Sequence, residues 1–203
     1  MKRKINSNYS TVRVAIFAIS CLFILIISCS KSSPAVTPDN LFTTQTPKTS
    51  TLSDRWKTDS TGISVGLKFR SSVAINITAI KFYKSTNNDG FHIAQLYTGN
   101  GLLLASDTVR NETDSGWQTY TLPSPIPMAA NTTFIASYFS SNGKYVSTND
   151  VLKHSMNNGT LSILADGQDG PNGVYAYCNN PAFPDSGFQS TNYWVDITEE
   201  KQP

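Results

Sequence analysis

This 203-residue chain is short of sulfur and of imidazole, and the two shortages narrow its chemistry at once. It holds three cysteines (Cys21, Cys29, Cys178) and two histidines (His92, His154). With two of the cysteines in the first 29 residues, no pair is left to brace the remainder, so the fold rests on a packed core rather than on disulfides. Cys178 reads as a small buried hydrophobe. No H-x-x-x-H or C-x-x-C supplies a zinc ligand set, and no Ser or Cys sits in a G-x-S-x-G elbow. His92 and His154, the two candidate neutral-pH bases, lie far apart in sequence. The fourteen acidic residues fall mostly in polar turns, and nothing singles out the pair that glycoside hydrolysis needs. The expectation is a protein without catalytic residues, with a glycoside-active enzyme last among the alternatives.

Long apolar runs are also scarce. The one present, Val14 to Ile27, is interrupted by Ser20 and Cys21 and follows a basic start of Lys2, Arg3, Lys4 and Arg13. Its fourteen residues make roughly 21 Å of helix, short of a ~30 Å hydrocarbon core. Basic flank, short apolar run and small residues afterwards are the pattern of a secretory signal peptide over residues 1–28. The run ends Ile26-Ile27-Ser28-Cys29, which resembles the lipobox of bacterial lipoproteins. That resemblance implies cleavage before Cys29 and acylation of its thiol, with several acyl chains making the anchor effectively permanent. Residues 29–39 then read as a lipidated cysteine and a Ser/Pro tether.

Removing residues 1–28 takes away four basic and no acidic residues. The formal charge of +2 becomes twelve basic against fourteen acidic residues, or −2. No basic field for nucleic acid survives. The membrane is met through the anchor. The expected location is the cell envelope, at the outer membrane, facing the periplasm or the cell surface. Ser30-Lys31-Ser32-Ser33 lacks an acidic run, which favours the periplasmic side.

Helix-forming composition is missing from residues 40–203. Ala, Leu and Glu are sparse there, Thr, Ser, Asn and Tyr are plentiful, and no stretch keeps helical three-and-four spacing. Strand patterns take its place. Ile63, Val65, Leu67 and Phe69 alternate with Ser64, Gly66, Lys68 and Arg70. Ile75 and Ile77 carry the phase on, then Ile80 and Phe82 reverse it, which predicts a β-bulge near Ala79. Further strands are expected at Phe91–Tyr97, Leu102–Val109, Trp117–Leu122, Thr132–Ser140, Lys144–Thr148, Gly173–Cys178 and Tyr193–Thr198. The fold class is all-β, a two-sheet antiparallel sandwich of jelly-roll type, in a single domain over 40–203. A closed barrel is the alternative.

The segments LFTTQTP at 41–47, VGLKFRSSVAINITAIKFYKS at 65–85 and HIAQLYTGNGLLLASDTV at 92–109 are similar to the bacterial family called domain of unknown function 4082. SGWQTYTLPSPIPMAANTTFIASYFSSNGKYVST at 115–148, GVYAY at 173–177 and NYWVDI at 192–197 extend the likeness. The resemblance implies a β-sandwich of secreted and surface proteins, and no mechanism. Asp150 to Ala165 departs from the family pattern.

Two kinds of binding chemistry remain. Asn87-Asn88-Asp89-Gly90 and Asp166 to Gly173 offer hard oxygens that suit a structural calcium, although the same residues are ordinary turn formers and no cofactor is assigned. Aromatic side chains suit a polysaccharide, because a ring against a pyranose face gives apolar contact while polar neighbours satisfy the hydroxyls. Tyr175 and Tyr177 share one strand face, with Val174, Ala176 and Cys178 on the other. Small aliphatic residues suit the core, so the two tyrosines are expected outside, with Trp194, Tyr145 and His92 completing the surface. Glycan binding is the expected function. The competing expectation is a structural or adhesive module that packs against another envelope protein.

Overall fold

The structure, a computed structural model, describes residues 41–42 and 61–202. The expected signal segment, Cys29 and the tether of 29–39 lie outside the described residues. Eleven strands form two antiparallel sheets, and the only helical turn among the described residues is a 3-10 turn at Val151–Lys153. The large sheet runs β10 (Ser186–Gly187), β9 (Val174–Tyr177), β1 (Ile63–Ser71), β6 (Phe134–Ser140), β3 (His92–Thr98), β4 (Leu103–Thr108). The short hairpin of β7 (Met156–Asn158) and β8 (Leu161–Ile163) joins it through β8, which also pairs with β1. The small sheet is β11 (Val195–Lys201), β2 (Ile75–Lys84), β5 (Gly116–Met128). The fold is the expected sandwich, with the strands shared unequally between its sheets.

Period-two patterning builds the core. Ile63, Val65, Leu67 and Phe69 of β1 stand opposite Ser140, Tyr138, Ala136 and Phe134 of β6. Their inward side chains meet Ile75, Ile77, Ile80, Phe82, Val195 and Ile197 of the small sheet. Tyr138 stacks on Phe82 with ring centroids 4.3 Å apart, tying the layers at their centre. The bulge falls where the phase reverses. Ile77 pairs with Ile126 and Ala79 with Thr121, and on the other side the register shifts between Thr198 and Glu199. One extra residue, Thr78, lets both flanks of β2 present isoleucines inward. Strand β5 runs past the expected Leu122 to Met128. Pro123, Pro125 and Pro127 alternate along this edge strand, so their missing N–H groups fall on the side away from β2.

The 144–148 segment forms no strand; Thr148 makes only an isolated bridge to Asn192. The segment from Asp150 to Ala165, where the family pattern weakens, folds instead into the 3-10 turn and the β7–β8 hairpin. That hairpin and β9 share one edge of β1, β9 along 63–66 and β8 along 69–71. Lys68 lies in the gap, and the side chain of Asn172 fills it. Asn172 Oδ1 accepts from Lys68 N at 2.8 Å, and Nδ2 donates to Lys68 O at 3.0 Å and to Leu164 O at 2.7 Å. A side-chain amide thus stands in for one residue of strand. Gly173 follows with φ of 42°, and a Cβ there would lie 1.6 Å from the Thr191 carbonyl oxygen.

The sandwich has two distinguishable ends. At one, called here the near end, Asp196 at the start of β11 is buried, and its carboxylate accepts from the backbone N–H of Leu41 (2.6 Å), Phe42 (2.9 Å) and Ile197 (2.7 Å). Burial pushes this carboxyl above its ordinary range, against the pull of the three N–H groups. The far end holds the last residues of β1 and β3 and the first of β2 and β6.

Replacing Asn172 with alanine leaves the Lys68 N–H unpaired and its C=O with only the long contact from Leu164 N at 3.5 Å. Asn172→Ala is expected to lower stability by about 3 kcal/mol at unchanged denaturant slope. A urea-melt loss below about 1 kcal/mol would mean that water fills the gap as well as the amide does.

Candidate functional site

A polar cleft of about 640 Å³ opens at the far end. Four segments make it: Arg70 from β1, Thr98 to Asn100 from the β3–β4 turn, Ala129 to Phe134 entering β6, and Asp169 from the long loop before β9. Backbone bonds fix these segments to one another. Gly99 N donates to Thr133 O at 2.8 Å, and Asn131 N donates to Ser71 O at 2.7 Å. Asn131 adopts a left-handed backbone, φ 60°, which asparagine tolerates better than most residues. The buried Phe134 lies at the bottom of the cleft, and no other aromatic residue lines it.

At the centre is a triangle. Arg70 Nε donates to Thr133 Oγ1 (2.8 Å), Thr133 Oγ1 donates to Asp169 Oδ2 (2.6 Å), and Arg70 Nη2 pairs with the same Oδ2 (2.8 Å). Lys68 Nζ reaches the Asp169 carbonyl at 2.7 Å. Thr133, and after it Arg70, hold the Asp169 carboxyl below the ordinary carboxylate range. Both charged side chains are about a third or more exposed, at 34% and 43%, so solvent and ligands reach them.

The residues expected to form an aromatic surface lie elsewhere. Tyr175 and Tyr177 do share a face, but the expected orientation is reversed. They stand opposite Val65 and Ile63, whose side chains face the core, while Val174 and Ala176 face outward beside Gly66 and Ser64. Val174 is buried all the same, because Tyr97, Ile135 and Phe183 pack over it on the outer face. Tyr175 is half-buried and Tyr177 is 48% exposed, with their rings edge to face at 5.4 Å. Trp194, Tyr145 and His92 are buried, so the expected shared surface is not formed.

Trp194, with a left-handed φ of +54° just before β11, stands opposite Tyr83 on the face it shares with Asp196, and it is buried because Phe42 covers it there. There Nε1 donates to Thr148 Oγ1, and the ring packs against Phe42 and Trp117. Trp117, at the start of β5, sits edge-on to Tyr83 beneath Lys81. Tyr145 packs on Tyr193 at 5.4 Å.

The two loops considered for calcium have protein partners. Asp89 Oδ1 pairs with Lys144 Nζ at 2.7 Å, and Asp166 accepts from Asn172 N and Ser190 Oγ. Among the described residues, no three His, Cys, Asp or Glu side chains gather as metal ligands.

His92 belongs to a buried near-end network. Nδ1 lies 2.8 Å from Glu112 Oε2, which also takes Lys84 Nζ at 3.0 Å, and Nε2 lies 2.8 Å from the Asn88 side-chain amide. Phe82 and Tyr138 flank the ring. The network joins β2, β3 and the loop before β5.

A β-sandwich with a polar end cleft is the class of protein that this geometry defines. The chain belongs to the family described as a domain of unknown function, DUF4082, which matches residues 47–195. Comparisons with curated proteins and with solved structures give no match.

Burial pushes the His92 imidazole below its ordinary value despite Glu112. The unfolded chain therefore binds a proton first as pH falls, so stability is full above the unfolded value of about 6.5 and declines below it. Urea melts of the wild type and of His92→Gln across this window test the sign. The wild-type midpoint falls more steeply on acidification than that of the variant; a wild-type midpoint that rose would reverse the assignment.

Proposed function

We propose that the protein is a lipid-tethered component of the cell envelope whose sandwich is a non-catalytic module that binds glycan in the far-end cleft. The observation that carries this reading is the cleft itself, an open concavity lined by Arg70, Asp169, Asn100, Asn131 and threonine hydroxyls. Hydroxyl-rich ligands need such a mixture of donors and acceptors, because each ligand hydroxyl stripped of water must find a partner. Placement supports it as well. Leu41 and Phe42, the described residues nearest in sequence to Cys29, are clamped by Asp196 at the near end, away from the cleft. Along β11 (Val195–Lys201), Asp196 and Lys201 stand about 17 Å apart, which separates the two ends.

The anchor rests on the lipobox-like residues 26–29 together with the basic, apolar leader. A second reading, adhesion to another envelope protein, is favoured by Leu102 and Leu103. These leucines are 63% and 48% exposed on the hairpin that gives Thr98 to Asn100 to the cleft.

Two measurements test the proposal. Cys29→Ser is expected to abolish incorporation of labelled fatty acid and to move the protein from the membrane to the soluble fraction; unchanged labelling would rule out Cys29 as the anchor. The detergent-purified full chain should be retained on at least one immobilised polysaccharide. Retention on none, with a protein partner crosslinked through Leu102 or Leu103, would replace the glycan reading with the adhesive one.

A further inference from the structure

The cleft has hydrogen-bonding capacity that its own residues leave unused, and the arrangement of that capacity selects a ligand. Arginine carries five N–H donors in a rigid fork. In Arg70, Nε is engaged by Thr133 and Nη2 by Asp169, and Nη1 has no partner among the described residues. Asp169 is asymmetric in the complementary way. Its Oδ2 receives both Arg70 and Thr133, whereas Oδ1 receives nothing from the described residues. An unfilled cationic donor and an unfilled anionic acceptor therefore belong to one ion pair, on side chains that solvent reaches. The amide nitrogens of Asn100 and Asn131 line the same cleft, also without partners among the described residues.

We infer that the cleft takes neutral sugars bearing a vicinal diol, one hydroxyl accepting from Arg70 Nη1 and its neighbour donating to Asp169 Oδ1, in preference to acidic sugars. This rests on the glycan reading above. A hydroxyl gives and accepts, so two adjacent ones complete both vacancies at once. Carboxylate, sulfate and phosphate groups accept only. They would satisfy Arg70 but set a second negative charge beside Oδ1, which stays ionised at neutral pH because Thr133 and Arg70 hold its carboxyl low. Lys68 contributes another positive charge nearby, yet its ammonium is drawn to the Asp169 carbonyl. Charge-assisted hydrogen bonds are the stronger kind, so this ion pair would provide most of the grip and the asparagines the orientation.

The test uses the detergent-purified full chain and three sets of immobilised polymer. The first set is neutral and rich in vicinal diols (dextran and mannan). The second is the same polymers after periodate oxidation and borohydride reduction, which cleave the diol carbon–carbon bonds. The third is uronate-rich (alginate and polygalacturonate). Retention is expected on an untreated neutral polymer, lost by about tenfold or more after periodate treatment and likewise in Arg70→Gln and Asp169→Asn, the scale of one charge-assisted hydrogen bond. Raising the ionic strength should change it little. Thermal midpoints close to wild type confirm that these exposed variants fold. Stronger retention on uronates with marked salt dependence, retention indifferent to periodate, or variants that bind as well as wild type would each overturn diol selection while leaving glycan binding intact. No retention on any polymer would overturn both.

Discussion

The side-chain amide of Asn172 is the contact on which the rest of this structure leans. One edge of β1 is offered to two partners, β9 and the β7–β8 hairpin, and neither covers Lys68. Without Asn172 the central strand of the large sheet would carry an unpaired Lys68 N–H and a carbonyl held only by a long contact to Leu164 N. Asn172 closes it and, in the same act, fixes the loop from Leu164 to Gly173. Asp169 is carried by that loop, so the position of the cleft's carboxylate relative to Arg70 follows from a hydrogen bond made in the sheet.

The polar groups divide into two populations with different physical roles. At the near end, Asp196, His92, Glu112 and Lys84 are largely withdrawn from water and saturated by backbone or by one another. Such groups specify geometry, since each is costly to bury in any arrangement but the observed one. At the far end, Arg70 and Asp169 are exposed and only half satisfied. An exposed pair of this kind adds little to stability, because solvent screens it. Its remaining capacity faces outward.

The sequence carried the fold further than it carried the site. Strict alternation in β1 and the phase reversal at Ala79 report local backbone geometry, and both appear in the strand register. Strand parity also placed Tyr175 and Tyr177 together, but parity cannot say which face is the core. The usual guide, small aliphatic residues inward, failed because Phe183 covers the outer face as well. For Trp194 parity gave the face it shares with Asp196 but not its burial, since no local pattern announces that Leu41 and Phe42 cover that face. The cleft was invisible for a different reason. Arg70 read as the solvent-facing member of an alternating strand and Asp169 as one of several turn formers. They stand 99 residues apart in the chain, and no local pattern relates them.

Under the proposed lipid anchoring, the prolines at alternate positions of β5 have a consequence for a protein held in a crowded layer. Proteins confined to two dimensions meet repeatedly in similar orientations, which is when exposed strand edges zip together. Along β5 the outward positions at 123, 125 and 127 have no hydrogen to offer, and on the large sheet β10 and β7 are only two and three residues long. Among the described residues, that leaves two edges long enough to template a neighbour, the six-residue β4 on the large sheet and the seven-residue β11 on the small one. The prolines therefore close one of the two edges of the small sheet and confine any edge-to-edge pairing to β4 and β11.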